Sequence, residues 1–233
     1  MVQLIDAFDG DDSSKIMTTV GVESFLSQSV NALGGSRNSV MTVSENTFPT
    51  TTRTRINRNG SGLLSVSFGP SATGTVETIY RGSDGNGLGG FDLLAGNADS
   101  FGIDILFLDN PINVLIHLTD TDGNQSKSEI MLSETITSPE PHLFLFSSFS
   151  KVTSPGIPEG AEFNWNSLDQ ISLTISLSPA TDLIVDSFST FAPDSTIPEP
   201  GSTMLAISAG LMMIQRRRRK SPKKTAPSDN NAV

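Results

Sequence analysis

The sequence predicts an all-β fold, an antiparallel β-sandwich of jelly-roll type, followed by a short apolar helix and a basic tail. Three observations carry this. Apolar and polar residues alternate over short stretches, the period of a strand with one buried face. Clusters of Gly, Pro, Asn and Asp recur every ~10–15 residues, and no stretch of the body holds a 3.6-residue period. The composition agrees: the 233 residues include 33 Ser and 22 Thr, which suit the solvated faces of strands. A helical bundle would be rich in Ala, Glu, Lys and Leu. Apolar residues make up 36% of the chain, enough to build a core, and the absence of cysteine excludes a disulfide scaffold or a thiolate metal site.

Nine segments read as strands. Leu4–Phe8 opens the body. Leu63–Phe68 alternates up to the turn Gly69-Pro70, and Thr75–Tyr80 follows. Phe101–Leu108 and Val114–Leu118 flank the turn Asp109-Asn110-Pro111. Lys127–Leu132 follows Asp122-Gly123-Asn124, a hairpin signal. His142–Phe149, Ile171–Leu177 and Leu183–Phe188 complete the set. The predicted organisation is a sandwich over residues 1–193, a linker over 194–201, an apolar membrane-spanning-type helix over 202–215 and a basic tail over 216–233.

The charge divides along the same line. Residues 1–200 hold 8 Lys+Arg and 24 Asp+Glu, so 8 − 24 = −16; residues 201–233 hold 7 and 1, so 7 − 1 = +6. An acidic body of this kind is repelled by nucleic-acid phosphates. A basic terminal stretch instead suits a membrane surface or a sorting device.

The tail has three parts in order. Pro198 and Pro200 flank Glu199, removing two amide donors and fixing two φ angles, so the tripeptide is predicted to be stiff and extended. Ser202–Gln215 has no charge and no proline, and its Met, Leu, Ala and Ile favour helix. Arg216, Arg217, Arg218 and Arg219 then set a cytoplasmic side by the positive-inside rule. Fourteen helical residues span about 21 Å, short of the roughly 30 Å hydrocarbon core, and snorkelling arginines recover part of the difference.

This order and spacing resembles the PEP-CTERM sorting signal, whose members carry a Pro-Glu-Pro motif, a transmembrane stretch and a terminal arginine cluster. The resemblance implies recognition by an exosortase at the inner membrane and delivery of the body to the cell surface or an exopolysaccharide matrix. An exported protein needs an apolar leader. Met1–Gly10 reads as a strand, so the leader is expected upstream of Met1. Further phrases resemble the galactose-binding-like jelly rolls often found ahead of such signals: Ile5–Asp9, Ala32–Arg37, Gly87–Leu93, Asp99-Ser100-Phe101 and Ile184–Phe188. That resemblance implies a fold with its first and last strands adjacent.

No catalytic residue is assigned. His117 and His142, the only histidines, sit in alternating segments outside any metal or triad spacing, and no G-x-S-x-G occurs. Gly34-Gly35 and Gly85–Gly90 lack the phosphate-loop pattern. Asp120–Asn124 places its glycine too early for an EF-hand and reads as a hairpin turn. Asp6 and Asp9 near the first strand, with Asp186 in the last, are candidate oxygen donors for a structural Ca²⁺. Tyr80 and Trp165, the only Tyr and Trp, are the candidate stacking platforms for a sugar. The function predicted is that of an exported, non-enzymatic surface or matrix protein. The alternatives are a carbohydrate-binding module of the envelope and an unprocessed tail-anchored membrane protein.

Overall fold

The computed structural model describes residues 3–28, 31–153 and 162–192. The chain divides into two units, Met1–Ser195 and Thr196–Val233. Pro198–Pro200, the run 202–215 and Arg216–Arg219 therefore lie outside the described residues. Among the described residues no helix is long and apolar enough to cross a membrane.

The described residues of the first unit form fourteen strands in two seven-stranded antiparallel sheets. The first sheet contains β1 (Gln3–Asp6), β2 (Ser13–Met17), β5 (Thr52–Ile56), β6 (Leu64–Ser67), β8 (Ser100–Leu108), β11 (Glu140–Leu145) and β14 (Asp182–Phe191). Its order is β11-β8-β14-β6-β5-β2, and β1 pairs with β14 beyond the end of β6. The second sheet, in the order β12-β10-β9-β13-β7-β4-β3, contains β3 (Gly21–Gln28), β4 (Ser36–Asn46), β7 (Ala72–Tyr80), β9 (Ile112–Asp120), β10 (Gln125–Leu132), β12 (Ser150–Val152) and β13 (Leu168–Leu177). The chain passes back and forth between the sheets, and its first and last strands are neighbours.

The inner faces interdigitate. Ile5, Leu64, Val66, Ile103, Ile105, Val185 and Phe188 of the first sheet meet Met41, Val76, Ile116, Leu118, Ile171 and Leu173 of the second, all at or below 1% exposure. Alternation along each strand produces this, because successive side chains point to opposite faces. β9 shows it without a break, its odd-placed residues from Ile112 to Asp120 buried and the rest half-exposed.

Every predicted strand is present, with three trimmed. β6 loses one residue at each end. The first ends at Asp6, because Phe8 adopts φ 49° and turns the chain. β11 ends at Leu145 and a 3-10 turn, Phe146–Ser148, follows. Five strands go beyond the sequence prediction: β2, β3, β4, β5 and β12. In β4 and β5 Arg37, Ser39, Thr52 and Thr54, all fully buried, share the inward positions with Met41, Val43 and Ile56, so polar residues break the apolar rhythm.

Candidate functional site

Two arrangements of polar groups stand out, one buried and one on a face. The buried one joins β1, β4 and β7. Asp6 Oδ1 accepts from Arg37 Nη1 at 2.6 Å and from the Phe8 amide at 2.7 Å, and Oδ2 accepts from the Tyr80 hydroxyl at 2.9 Å. Arg37 Nη2 donates to the Asp9 carbonyl, and the guanidinium lies 5.9 Å from the Phe8 ring centroid. All three side chains have no exposure. Burial pushes the Asp6 carboxyl above its ordinary value, with Arg37 the strongest opposing influence. Burial, then the Asp6 charge, pushes the Tyr80 hydroxyl well above its own.

Two residues singled out in the sequence, Tyr80 and Asp6, lie in this network. Tyr80 cannot stack on a ligand: its ring is part of the core, and its hydroxyl is spent on Asp6. Asp6 turns its oxygens to an arginine, an amide and a phenol. Asp9 hydrogen-bonds Asn31 at the surface, and Asp186 is exposed at a bulge of β14. Among the described residues no group of three or more His, Asp or Glu side chains stands together as a metal site. Slight desolvation, then the neighbouring Asp104 charge, raises the Asp186 carboxyl.

Trp165 lies in the turn before β13, half-buried. It stacks on Phe146 at 4.9 Å and 23°, with Phe149 and Phe163 edge-on at 5.6 and 4.9 Å. This cluster continues through Phe101 to Phe188, so the indole is largely a core ring with one accessible flank. Asp120–Asn124 is the predicted hairpin: Asp120 accepts from the amides of Asp122 and Asn124, and from Asn164 across the loop.

The second arrangement lies on the outer face of the second sheet. Register places Lys127, His117, Ser172, Ile79, Asn38 and Leu26 in one row across six strands. Glu129, Leu115, Thr174, Glu77 and Val40 form the next row. Ser172 donates to Glu77 at 2.5 Å rather than to His117, so the three do not form a nucleophile–base relay. Partial burial lowers the His117 pKa, against a hydrogen bond to Gln125 and the Glu77 charge.

At the β3–β4–β7 end of this face a cleft of about 290 Å³ opens, lined by Leu26, Ser36, Asn38, Ile79, Arg81 and Asp84. Its wall is the glycine-rich loop after β7. Gly82, at φ 78°, packs so closely that a Cβ would stand 2.5 Å from the Gly87 carbonyl oxygen, and at Gly34 a Cβ would stand 2.7 Å from the Gly82 Cα. The loop is laced to the start of β13 by Leu88 N–Asp169 O at 2.7 Å and Phe91 N–Leu168 O at 2.9 Å. Asp84 is held below the ordinary carboxylate range by the backbone amide of Asn86, then by its side-chain amide. The sequence signal for this cleft was the Gly85–Gly90 run, set aside as a failed phosphate loop. Its use here is to bring three backbone segments into contact beside Arg81 and Asp84.

No protein-family model and no curated protein matches the chain. Among solved structures it is similar to a family 11 carbohydrate-binding module from Clostridium thermocellum in complex with a β-1,3-1,4-mixed-linked tetrasaccharide, at 15% identity over 82% of this chain and 95% of that one, TM-score 0.41. It is also similar to the module TmCBM61 in complex with β-1,4-galactotriose, at 8% identity over 78% of this chain and 88% of that one, TM-score 0.31. An exo-β-agarase matches at 9% identity over 82% of this chain and 25% of that one, TM-score 0.39. The all-β class itself stands on the two antiparallel sheets described above.

Proposed function

We propose that the protein is a non-enzymatic, polysaccharide-binding β-sandwich of jelly-roll type, carried to the cell envelope by its C-terminal segment. The cleft beside the glycine-rich loop carries the binding part. A sugar presents vicinal hydroxyls around an apolar C–H face, and it is matched by planar charged and amide groups around an apolar floor. Arg81, Asp84 and Asn38 supply the first, and Ile79 and Leu26 the second. Among the described residues Arg81 enters no ion pair. The open sheet face beside the cleft gives a long chain room to continue.

Affinity electrophoresis against a panel of soluble β-glucans, galactans and the host's own exopolysaccharide tests this. Retardation by at least one polymer is expected, with Arg81→Ala and Asp84→Ala each weakening it about ten- to a hundredfold. Each removes a charge-assisted hydrogen bond of roughly 1.5–3 kcal/mol. Retardation by none, or undiminished in both variants, rules the cleft out.

The delivery part rests on the sequence order Pro198-Glu199-Pro200, Ser202–Gln215 and Arg216–Arg219. The chain's division at Ser195/Thr196 falls just ahead of that motif. Expressed behind a leader in an exosortase-bearing host, the chain is expected to yield a mature form lacking Arg216–Arg219, readable by intact-mass measurement. A mature form that keeps all four arginines favours the unprocessed, tail-anchored reading instead.

A further inference from the structure

We infer that the outer face of the first sheet holds a second ligand site, an arginine strip along β5 that takes an acidic polysaccharide through its carboxylate or sulfate groups. Of the eight Lys and Arg residues among residues 1–200, three are Arg53, Arg55 and Arg58. Arg53 and Arg55 alternate with the buried Thr52, Thr54 and Ile56, so both project from the outer face, about 7 Å apart along the strand. Arg58 follows, exposed, in the turn Arg58–Gly60.

These three guanidinium groups stand unneutralised in an acidic body. The same 200 residues hold 24 Asp and Glu. Among the described residues, none of the three arginines enters an ion pair or donates a side-chain hydrogen bond. They act on one another instead: desolvation, then the charges of Arg53 and Arg58, lowers the Arg55 pKa from its ordinary value. Asp12 opposes this, but its carboxylate already accepts from the Asn59 amide at 3.4 Å. The Nε atom of Arg53 is buried, so its terminal nitrogens are the donors on offer. Like charges held together repel, and a bound anion relieves that repulsion.

The surroundings narrow the ligand. Ser14 and Ser65 flank Arg55 across the strands, and Ser67 lies beside Arg53. Their short side chains leave the arginines open from above, and their hydroxyls can donate to the same oxyanion. A guanidinium grips a carboxylate with two parallel hydrogen bonds, and a sulfate presents the same paired oxygens. Ile16, 53% exposed, and Ile184 offer apolar contact to the C–H face of a sugar. Asp182 shares the Arg53 row two strands away, about 10 Å, and repels an anion spreading across the sheet. The direction left open is along β5, which suits a chain whose charges repeat. Screening confines these fields to about 8 Å at physiological salt, so a ligand on the strip feels the arginines more than acids elsewhere on the body.

The strip lies on the opposite side of the sandwich from the Arg81 cleft, which belongs to the second sheet. The choice of a polysaccharide over another polyanion rests on the polysaccharide-binding reading; the anion site does not.

The test is fluorescence anisotropy of labelled oligogalacturonate and labelled dextran sulfate with the full chain, beside a neutral cello-oligosaccharide and duplex DNA. Saturable binding of an acidic glycan that weakens with salt is expected. Arg53→Gln and Arg55→Gln each weaken it about tenfold. Lys151→Gln, which removes the same charge from the second sheet, changes it by less than about twofold. Thermal unfolding of the arginine variants is expected to match the parent, since a like-charge contact is lost. No binding of either acidic glycan, equal affinity in both arginine variants, or an equal loss in Lys151→Gln overturns the inference. So does duplex DNA losing as much affinity as the glycan in the arginine variants, or a loss confined to Arg81→Ala. Binding that depends on Arg53 and Arg55, in a protein whose polymer retardation is undiminished by Arg81→Ala and Asp84→Ala, leaves the strip standing and removes only the cleft.

Discussion

Asp6 and Arg37 show how a charged pair can sit at the centre of a sandwich. Each is wholly buried; Asp6 accepts from Arg37, the Phe8 amide and the Tyr80 phenol, while Arg37 donates to Asp6 and the Asp9 carbonyl through its terminal nitrogens and leaves its Nε unpaired. The attraction offsets a large desolvation cost, so the pair contributes little net stability while breaking it costs much. Asp6→Ala is expected to lower unfolding free energy by about 3–5 kcal/mol, because Arg37 is left as an unpaired buried cation. Asp6→Leu with Arg37→Met is expected to cost clearly less. Urea unfolding of both variants decides it, and equal losses would show that shape rather than charge is what the pair supplies. The pH dependence has a definite sign. With the native Asp6 carboxyl raised above its unfolded value, the folded state holds the extra proton just above pH 3.8. This group's contribution is therefore largest on the acid side and declines as pH rises through the native value.

Single elements explain what could be read from the sequence. β9 and the stretch Ile171–Leu177 of β13 are plain because buried apolar positions alternate along them, and β14 because it is rich in apolar residues on either side of its bulge. β4 and β5 were hidden because Arg37, Ser39, Thr52 and Thr54 face the core. A rule that looks for apolar residues inside misses strands in which several of the buried positions are polar. The candidate site was hidden for a related reason. Arg81, Asp84 and Asn38 are unremarkable singly, and only the fold of the glycine loop against β13 brings them to one cleft. Gly82 carries that fold: an added Cβ meets backbone at 2.5 Å, whereas at Gly89, also at positive φ, it meets nothing. Gly82→Ala is thus expected to cost about 1–3 kcal/mol from overpacking beyond the φ penalty it shares with Gly89→Ala. It should also weaken retardation by polysaccharide. Thermal unfolding of the two variants with equal losses would show that the close approach at Gly82 matters little.

For the whole molecule, the position of β14 has a consequence in time. It is the last strand of the body, yet it lies inside the first sheet, between β8 on one side and β6 with β1 on the other. Until Asp182–Phe191 exists and is free to move, that sheet is three pieces, β11-β8, β6-β5-β2 and the lone β1, and the first two each have a bare edge open to pairing with other chains. A chain emerging from its N-terminus onward cannot close its sandwich early. Closure waits for nearly the last residue before the Pro-Glu-Pro segment. Any cut made beyond that point releases a finished body, whereas a cut made before Leu183 leaves an unfinished one whose exposed edges invite aggregation.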